Sequence, residues 1–466
     1  MKIDNLWLKY TEEDVTKVQE VCDRYKQCLD NGKTERECVA QVIEMAQQKG
    51  YRELHSVIKE GGTPKAGDKL YAVQMDKSIV LFQMGKKPVS EGMNILGAHI
   101  DSPRIDIKQK PLYEAEGFAY LDTHYYGGIK KYQWTTIPLA LHGVVAKKDG
   151  TVVKISIGEK DDEPVFVITD LLIHLAGEQM AKKADAVIAG EKLDLLIGNR
   201  PLQQSEELDK EEKEAVRANI LRLLSETYGI EEEDFLSADL EIVPAGRARD
   251  LGVDRSMILA YGHDDRVCAF TSVFAMLDLA DEITEHTLCC LLVDKEEIGN
   301  VGATGMASQF FENTIAELVA ATERDSQLLV RRALASSKML SSDVSAGFDP
   351  LYADVYEKKN SAFLAKGLAF NKYTGSRGKR GSSEATAEFV AQIRRIMEDA
   401  DVMYQFSELG KVDAGGGGTI AHLMAEYGMN VIDSGVSVLN MHAPYEVVSK
   451  ADVYEAVRGY RAFLRA

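Results

Sequence analysis

The chain has 466 residues, 45% hydrophobic and 28% charged, and 55 basic against 74 acidic side chains give a formal net charge of −19. That length exceeds a single hydrophobic core and calls for two domains or more. The acidity excludes broad nucleic-acid binding, which needs a positive field; it reads as solubility or as carboxylates gathered around cations.

No run approaches the roughly 20 apolar residues that span a bilayer. The start, MKIDNLWLKYTEEDVTK, has no apolar signal core, so a cytoplasmic location without a membrane partner is expected. Six scattered cysteines form no CxxC pair, which fits a reducing compartment and argues against a thiolate-bound zinc.

In chain order, residues 11–50 read as two helices, the second opened by a Thr34/Glu37 capping box. KLYAVQM (69–75), SIVLFQM (78–84) and MNILGAHI (93–100) read as strands. Beyond Lys108 the texture changes to aromatic and glycine-bearing segments such as YLDTHYYGGIKKYQW (120–134), then VVKISIG (152–158) and PVFVITD (164–170). SEELDKEEKEAVRANILRLLSETYG (205–229) reads as an acidic amphipathic helix with a solvated face. From about residue 255 apolar strand-like runs, HTLCCLLV (286–293), SSKMLSSD (336–343) and VSVLNMH (436–442), alternate with helix-like ones at 303–322, 384–398 and 419–428. This predicts an α/β fold, a mixed, largely parallel central sheet flanked by helices, with an inserted mainly β domain. The boundaries expected are 1–107 plus 256–466 for the α/β domain and 108–255 for the insertion.

The chemistry-bearing residues fall at repeated positions. GAHIDSP places His99 and Asp101 after a strand, YGHDDRV places Asp264 and Asp265 between an apolar run and a helix, and VDKEEIG places Glu296 and Glu297 at a strand end. SSDVS does the same for Asp343 and LNMHAP for His442. Ligand sites in open α/β sheets lie beyond the carboxyl ends of the strands, and imidazole with carboxylate suits divalent metals. Taken singly, each is ordinary: a hydrogen-bonded histidine, an N-cap aspartate, a solvated glutamate pair. Five coinciding at one topological position point to a metal centre. Two cations would explain the adjacent glutamates, Glu297 binding metal while Glu296 reaches a water. Neighbours on a regular strand face opposite ways, so the pair is expected where the strand ends, with Gly299 allowing the turn.

GAHIDSPRID, AYGHDDRVCAF, DKEEIG, SSD, GGGGTI and LNMHAP together resemble the aminopeptidase I and aspartyl aminopeptidase family of dinuclear metallopeptidases, in order along the whole chain. THYYGGIKKYQWTTIPLALHG, within the insertion, is similar to the bacterial aminopeptidase I branch. The resemblance implies a cytoplasmic metalloaminopeptidase acting on peptides with two divalent ions per subunit, zinc with manganese or cobalt also compatible. It implies that His99, Asp264 and Asp343 bind one metal, that Asp264 bridges to a second completed by Glu297 and His442, and that Glu296 is the general base. Asp101 would orient His99, and the Asp264–Asp265 bond would be cis. It further implies a homo-oligomer, a tetrahedral dodecamer whose dimers form through the insertion.

Some positions transfer less directly. Related aspartyl aminopeptidases place a partner-subunit histidine near the oxyanion, but GGIKKYQW has none at that place; His124 is a candidate, Tyr132 or a lysine a substitute, and a structural His124 the alternative. Lys372, opening NKYTGSRGKRGSSEA, is a candidate for an acidic substrate side chain, a solvated loop being the alternative. Gly416 and Gly417 of GGGGTI either present amides to substrate or form a tight turn. Two other functions compete: a related co-catalytic carboxypeptidase or N-deacylase, and a non-catalytic self-assembling shell.

Overall fold

The structure, a computed structural model, describes residues 5–202 and 214–466. Two threonines set the first elements. Thr11 accepts the Asp14 N–H while the Asp14 carboxylate accepts the Thr11 N–H, starting the helix Glu12–Asn31. Thr34 and Glu37 repeat the arrangement for Glu35–Gln48, satisfying amides that the helix itself leaves unpaired.

Among the described residues nine strands form one mixed sheet, in the order Arg52–Glu53, Lys69–Gln74, Ser78–Gln83, Thr287–Val293, Met93–His99, Lys338–Ser342, Asn430–Gly435, Leu368–Asn371, Tyr404–Phe406. Four adjacent central strands run parallel: Thr287–Val293, Met93–His99, Lys338–Ser342 and Asn430–Gly435. Their register pairs Val293 with His99 and Ser341 with Gly97. Parallel neighbours in that register end at one level, so the residues that follow leave the sheet side by side.

Alternation along these strands separates two cores. Leu81, Leu96, Cys290, Leu292 and Leu340 enter one; Val80, Phe82, Ile95, Cys289, Leu291 and Met339 enter the other. A sheet buried on both faces needs no polar alternation, which is why its strands read as unbroken apolar runs. All six cysteines are buried and free. On the first face the helix His263–Asp278 is buried from His263 to Leu277 and packs against Lys450–Arg465. A smaller sheet joins Arg249–Leu251, Met257–Ala260, Glu446–Ser449, Ser437–Leu439 and Ser345–Ala346.

Contacts divide the chain into two compact units. One comprises the chain through Ser102 with Ala248–Met441 and Glu446–Ala466; the other comprises Pro103–Arg247 with His442–Tyr445. The second unit carries an antiparallel six-stranded sheet, whose long pair is Arg104–Ala115 with Phe118–Tyr126. The helix expected at 205–229 lies partly outside the described residues; its described part is Ala215–Tyr228. Residues 303–309 are turns rather than helix, which starts at Phe310, and the run at 419–428 holds only the short helix Ala421–Ala425. No described helix is long and apolar enough to cross a membrane.

One ion cluster ties the first helix to the last. Asp250 Oδ1 lies 2.7 Å from Lys26 Nζ and 2.9 Å from Lys450 Nζ, and Lys450 is only 1% exposed. Burial pushes the Asp250 carboxyl up, but the two lysines outweigh it and hold it at about 2, below its ordinary 3.8. A depressed carboxyl stabilises the fold fully above its unfolded pKa and loses that contribution as pH falls through the folded one. Asp250→Asn is therefore expected to lower the urea midpoint at pH 7, with the gap to the parent closing between about pH 4 and pH 2; a gap that is constant with pH contradicts this.

Candidate metal centre

His99 is the last residue of its strand and 2% exposed. Its Nε2 lies 3.2 Å from Asp264 Oδ1 and 3.9 Å from Asp343 Oδ1. Its Nδ1 faces Asp101, 3.0 Å from the carbonyl oxygen and 3.3 Å from Oδ1. Asp101 thus fixes the ring from behind and leaves Nε2 to look into the carboxylate cluster, the arrangement that sets a ligating imidazole's tautomer.

The same Asp101 organises the glutamate pair. Its Oδ1 accepts the Glu296 N–H at 3.2 Å and its Oδ2 the Glu297 N–H at 3.1 Å. Glu296–Ile298 is a single 3-10 turn directly after the strand, entered by Lys295 at φ 71° and left by Gly299 at φ 95°. The turn breaks strand alternation where the sequence required it. Both glutamate side chains are half-buried.

Asp264 arrives from another direction, at the start of the buried helix. Its N–H donates to Glu446 Oε2 at 2.9 Å, its carbonyl accepts the Ser102 hydroxyl at 2.5 Å, and the Asp264–Asp265 peptide is cis. Asp343 follows Lys338–Ser342, and its N–H donates to the Ser434 carbonyl at 2.8 Å.

Ligand atoms of His99, Asp264 and Glu297 lie within 4.8 Å of one another, and so do those of His99, Asp265 and Asp343. Such crowding of acids demands positive charge. Burial first, then the charges of Asp265, Asp264 and Glu296, push the Asp343 carboxyl well above its ordinary range. Burial and the Asp264 charge do the same to Asp265. For His99 burial opposes protonation, yet Asp101 and Asp264 override it and raise the imidazole. The part of these shifts that comes from the neighbouring carboxylates is a negative field that also attracts a divalent cation. One imidazole with several carboxylates is a donor set that zinc accepts, so the residues fit the metal.

Sequence reasoning placed His99, Asp101, Asp264, Glu296, Glu297 and Asp343, and these six the structure brings together. It gave Asp265 no ligand role, although its carboxylate is fully buried and joins His99 and Asp343; the doubled Asp in GHDDR was the available signal. Glu446, which holds the Asp264 amide, carried no signal at all, being 182 residues away. His442 belongs to the second unit, where its Nδ1 pairs with the Gly128 carbonyl at 2.9 Å. His124 is exposed on Phe118–Tyr126, its Nδ1 2.7 Å from the Tyr125 carbonyl. Lys372 pairs with Glu384 at 3.3 Å. In GGGG, a Cβ on Gly415 would meet the Leu409 carbonyl at 1.9 Å and one on Gly416 the Gly375 carbonyl at 1.9 Å, whereas Gly417 has only Leu409 Cδ2 at 3.6 Å. Close backbone packing explains the first two of these glycines and leaves Gly417 open.

Fold and site together define a metal-dependent hydrolase built on a mixed α/β sheet. Residues 28–464 match the family described as aminopeptidase I zinc metalloprotease (M18). A relative from Clostridium acetobutylicum, named "Probable M18 family aminopeptidase 1", is 55% identical over 460 residues, 99% of this chain and 97% of its own. The crystal structure of an M18-family aminopeptidase from Thermotoga maritima superposes with a TM-score of 0.93 at 40% identity, covering 100% of this chain and 99% of that one. A structure of the mApe1 dodecamer of S. cerevisiae shares the fold at 19% identity, TM-score 0.76, covering 96% and 97% of the two chains. The chain belongs to the M18 aminopeptidase I family of zinc metalloproteases. It is a metal-dependent aminopeptidase, and neither a carboxypeptidase or N-deacylase nor an inert shell is favoured.

Because Asp101 serves the imidazole and both glutamate amides, Asp101→Ala is expected to weaken metal affinity about 10–100-fold. Zinc content after dialysis against graded chelator measures this; retention equal to the parent's contradicts it.

Proposed function

We propose that the enzyme removes the first residue of peptides using two divalent ions per subunit, zinc in both positions, with manganese or cobalt able to substitute. His99, Asp264 and Asp343 are assigned to one ion; Asp264 and Glu297 to the other. The observation that carries this reading is that His99 Nε2 faces Asp264 Oδ1 at 3.2 Å and Asp343 Oδ1 at 3.9 Å, while ligand atoms of His99, Asp264 and Glu297 gather in one group. Asp265 is the additional carboxylate at the Asp343 side.

When bound, the metals supply Lewis acidity that polarises the scissile carbonyl and lowers the pKa of water. The chain's own groups do the rest. Asp101 holds the Glu296 and Glu297 amides, so the Glu296 carboxylate is presented beside the ligands without being one. Glu296 accepts the proton of the attacking water and returns it to the departing amine. Recognition of a free α-amine by the remaining carboxylates makes the reaction an exopeptidase one.

His124, Lys372, Gly416 and Gly417 are assigned to substrate contact, Gly417 with the best support because nothing packs tightly against it. The insertion, 108–255, is assigned to dimer formation within a homo-oligomer, a tetrahedral dodecamer; the dodecameric assembly of the yeast mApe1 structure supports this. Such enclosure would limit substrates to peptides. Six buried free thiols support a cytoplasmic location.

Glu296→Gln is expected to lower kcat about 10²–10⁴-fold on aminoacyl amides, with KM and zinc content near the parent's. A chelator should abolish activity and metal restore it, and peptides with a blocked N-terminus should not be cleaved. Unchanged turnover by zinc-loaded Glu296→Gln rules the base assignment out.

A further inference from the structure

Lys295 joins the strand to the turn that carries Glu296, and it sits at φ 71°, in the left-handed region that favours glycine. A lysine persists there only when its surroundings over-determine it. Asp294 provides that restraint. Its carboxylate is fully buried. Oδ1 accepts the Lys295 N–H at 2.8 Å. Oδ2 accepts the Thr304 hydroxyl at 2.6 Å and lies 3.2 Å from Lys295 Nζ.

Thr304 is itself anchored. Its carbonyl accepts the Asp294 N–H at 3.2 Å and the Ser78 hydroxyl at 2.5 Å, and it is only 6% exposed. The far side of the loop is thereby tied to the first residue of Ser78–Gln83, a strand inside the central sheet. The loop closes on Lys295 again through its carbonyl, which accepts the Asn300 N–H at 2.6 Å.

The turn is consequently held from two sides. Asp101 grips the Glu296 and Glu297 amides, while Asp294 fixes the peptide one residue earlier. A change of dihedral at Lys295 is felt first at Glu296, the next residue, while Asp101 still holds the Glu297 amide, and displacements of about 1 Å at reacting groups cost about a hundredfold in rate.

We propose that Asp294, anchored by Thr304, is a positioning residue that locks the left-handed Lys295 turn and so aims Glu296 at the reacting water. The proposal rests on the reading of Glu296 as general base. Asp294 is fully buried and Thr304 only 6% exposed, so their removal is expected to act on turnover rather than on binding.

The test uses the full zinc-loaded chain. Thr304→Val and Asp294→Ala are expected to lower kcat about ten- to a hundredfold, with KM within about twofold and zinc content and circular dichroism unchanged. Thr304→Ser, which keeps the hydroxyl, is expected near the parent. Lys295→Gly in the Asp294→Ala background is expected to recover part of kcat, because glycine adopts the left-handed turn unaided; a merely structural role predicts no such recovery. Should Asp294→Ala fail to fold, Thr304→Val and Thr304→Ser decide alone. Parent-like kcat in Thr304→Val, or a loss that follows zinc content or folded fraction, overturns the proposal. Glu296→Gln in the same assay separates the two ideas: if it is inactive while Thr304→Val matches the parent, only the positioning role falls; if it stays active, the base assignment falls and the role argued from it goes too.

Discussion

Carboxylates crowded within a few ångströms of one another are unstable company, and this fold assembles four of them around one imidazole, Asp264 and Asp265 buried and Asp343 and Glu297 half-buried. Nothing in the hydrophobic core asks for that. Each acid taken out of water costs free energy unless opposite charge compensates it. Burial first, and then the mutual repulsion of the acids, lifts Asp343 and Asp265, and a divalent cation among them relieves that repulsion. A bound divalent cation would compensate the acidic rim of the sheet, and the remaining features of the site hold that rim in register.

The parallel central strands are what make the assembly possible. With Val293 level with His99, and Ser341 level with Gly97, the chain leaves three neighbouring strands at one height. It delivers His99, then the Glu296–Glu297 turn, then Asp343 with no long loop between sheet and ligand. Residues set directly on strand ends inherit the rigidity of a sheet buried on both faces. Asp264 needs separate fixing because it enters from the smaller sheet, and Glu446 and Ser102 supply it through the backbone. Asp101 couples these parts, since one carboxylate sets the ring of His99 and the amides of both glutamates.

Much of this was legible in the sequence because strand-end chemistry is local. HTLCCLLV and MNILGAHI announced buried strands by composition, and the polar residues just after them could only lie at the rim. Thr34 and Glu37 gave their helix start to the residue. What escaped was non-local or lacked a residue-type signal. The antiparallel pairings of Ser78–Gln83 with its neighbours and the separate five-stranded sheet depend on partners far along the chain. Helix-like texture at 303–309 and 426–428 was overridden by turns closing onto Asn300 and at Gly428. A left-handed lysine at 295 has no signature, since lysine ordinarily avoids that conformation; only the buried Asp294 beside it explains the choice. The ligand role open to Asp265 was signalled only by the doubled aspartate, a weak cue because consecutive residues normally face apart.

The most direct test of the central claim is anomalous diffraction at the zinc edge from crystals of the zinc-loaded chain. Two peaks are expected, one among His99, Asp264 and Asp343 and one beside Asp264 and Glu297, with the Glu296 carboxylate close to both but bound to neither. No peak at this rim, or one ion with Glu297 turned away from it, would contradict the account.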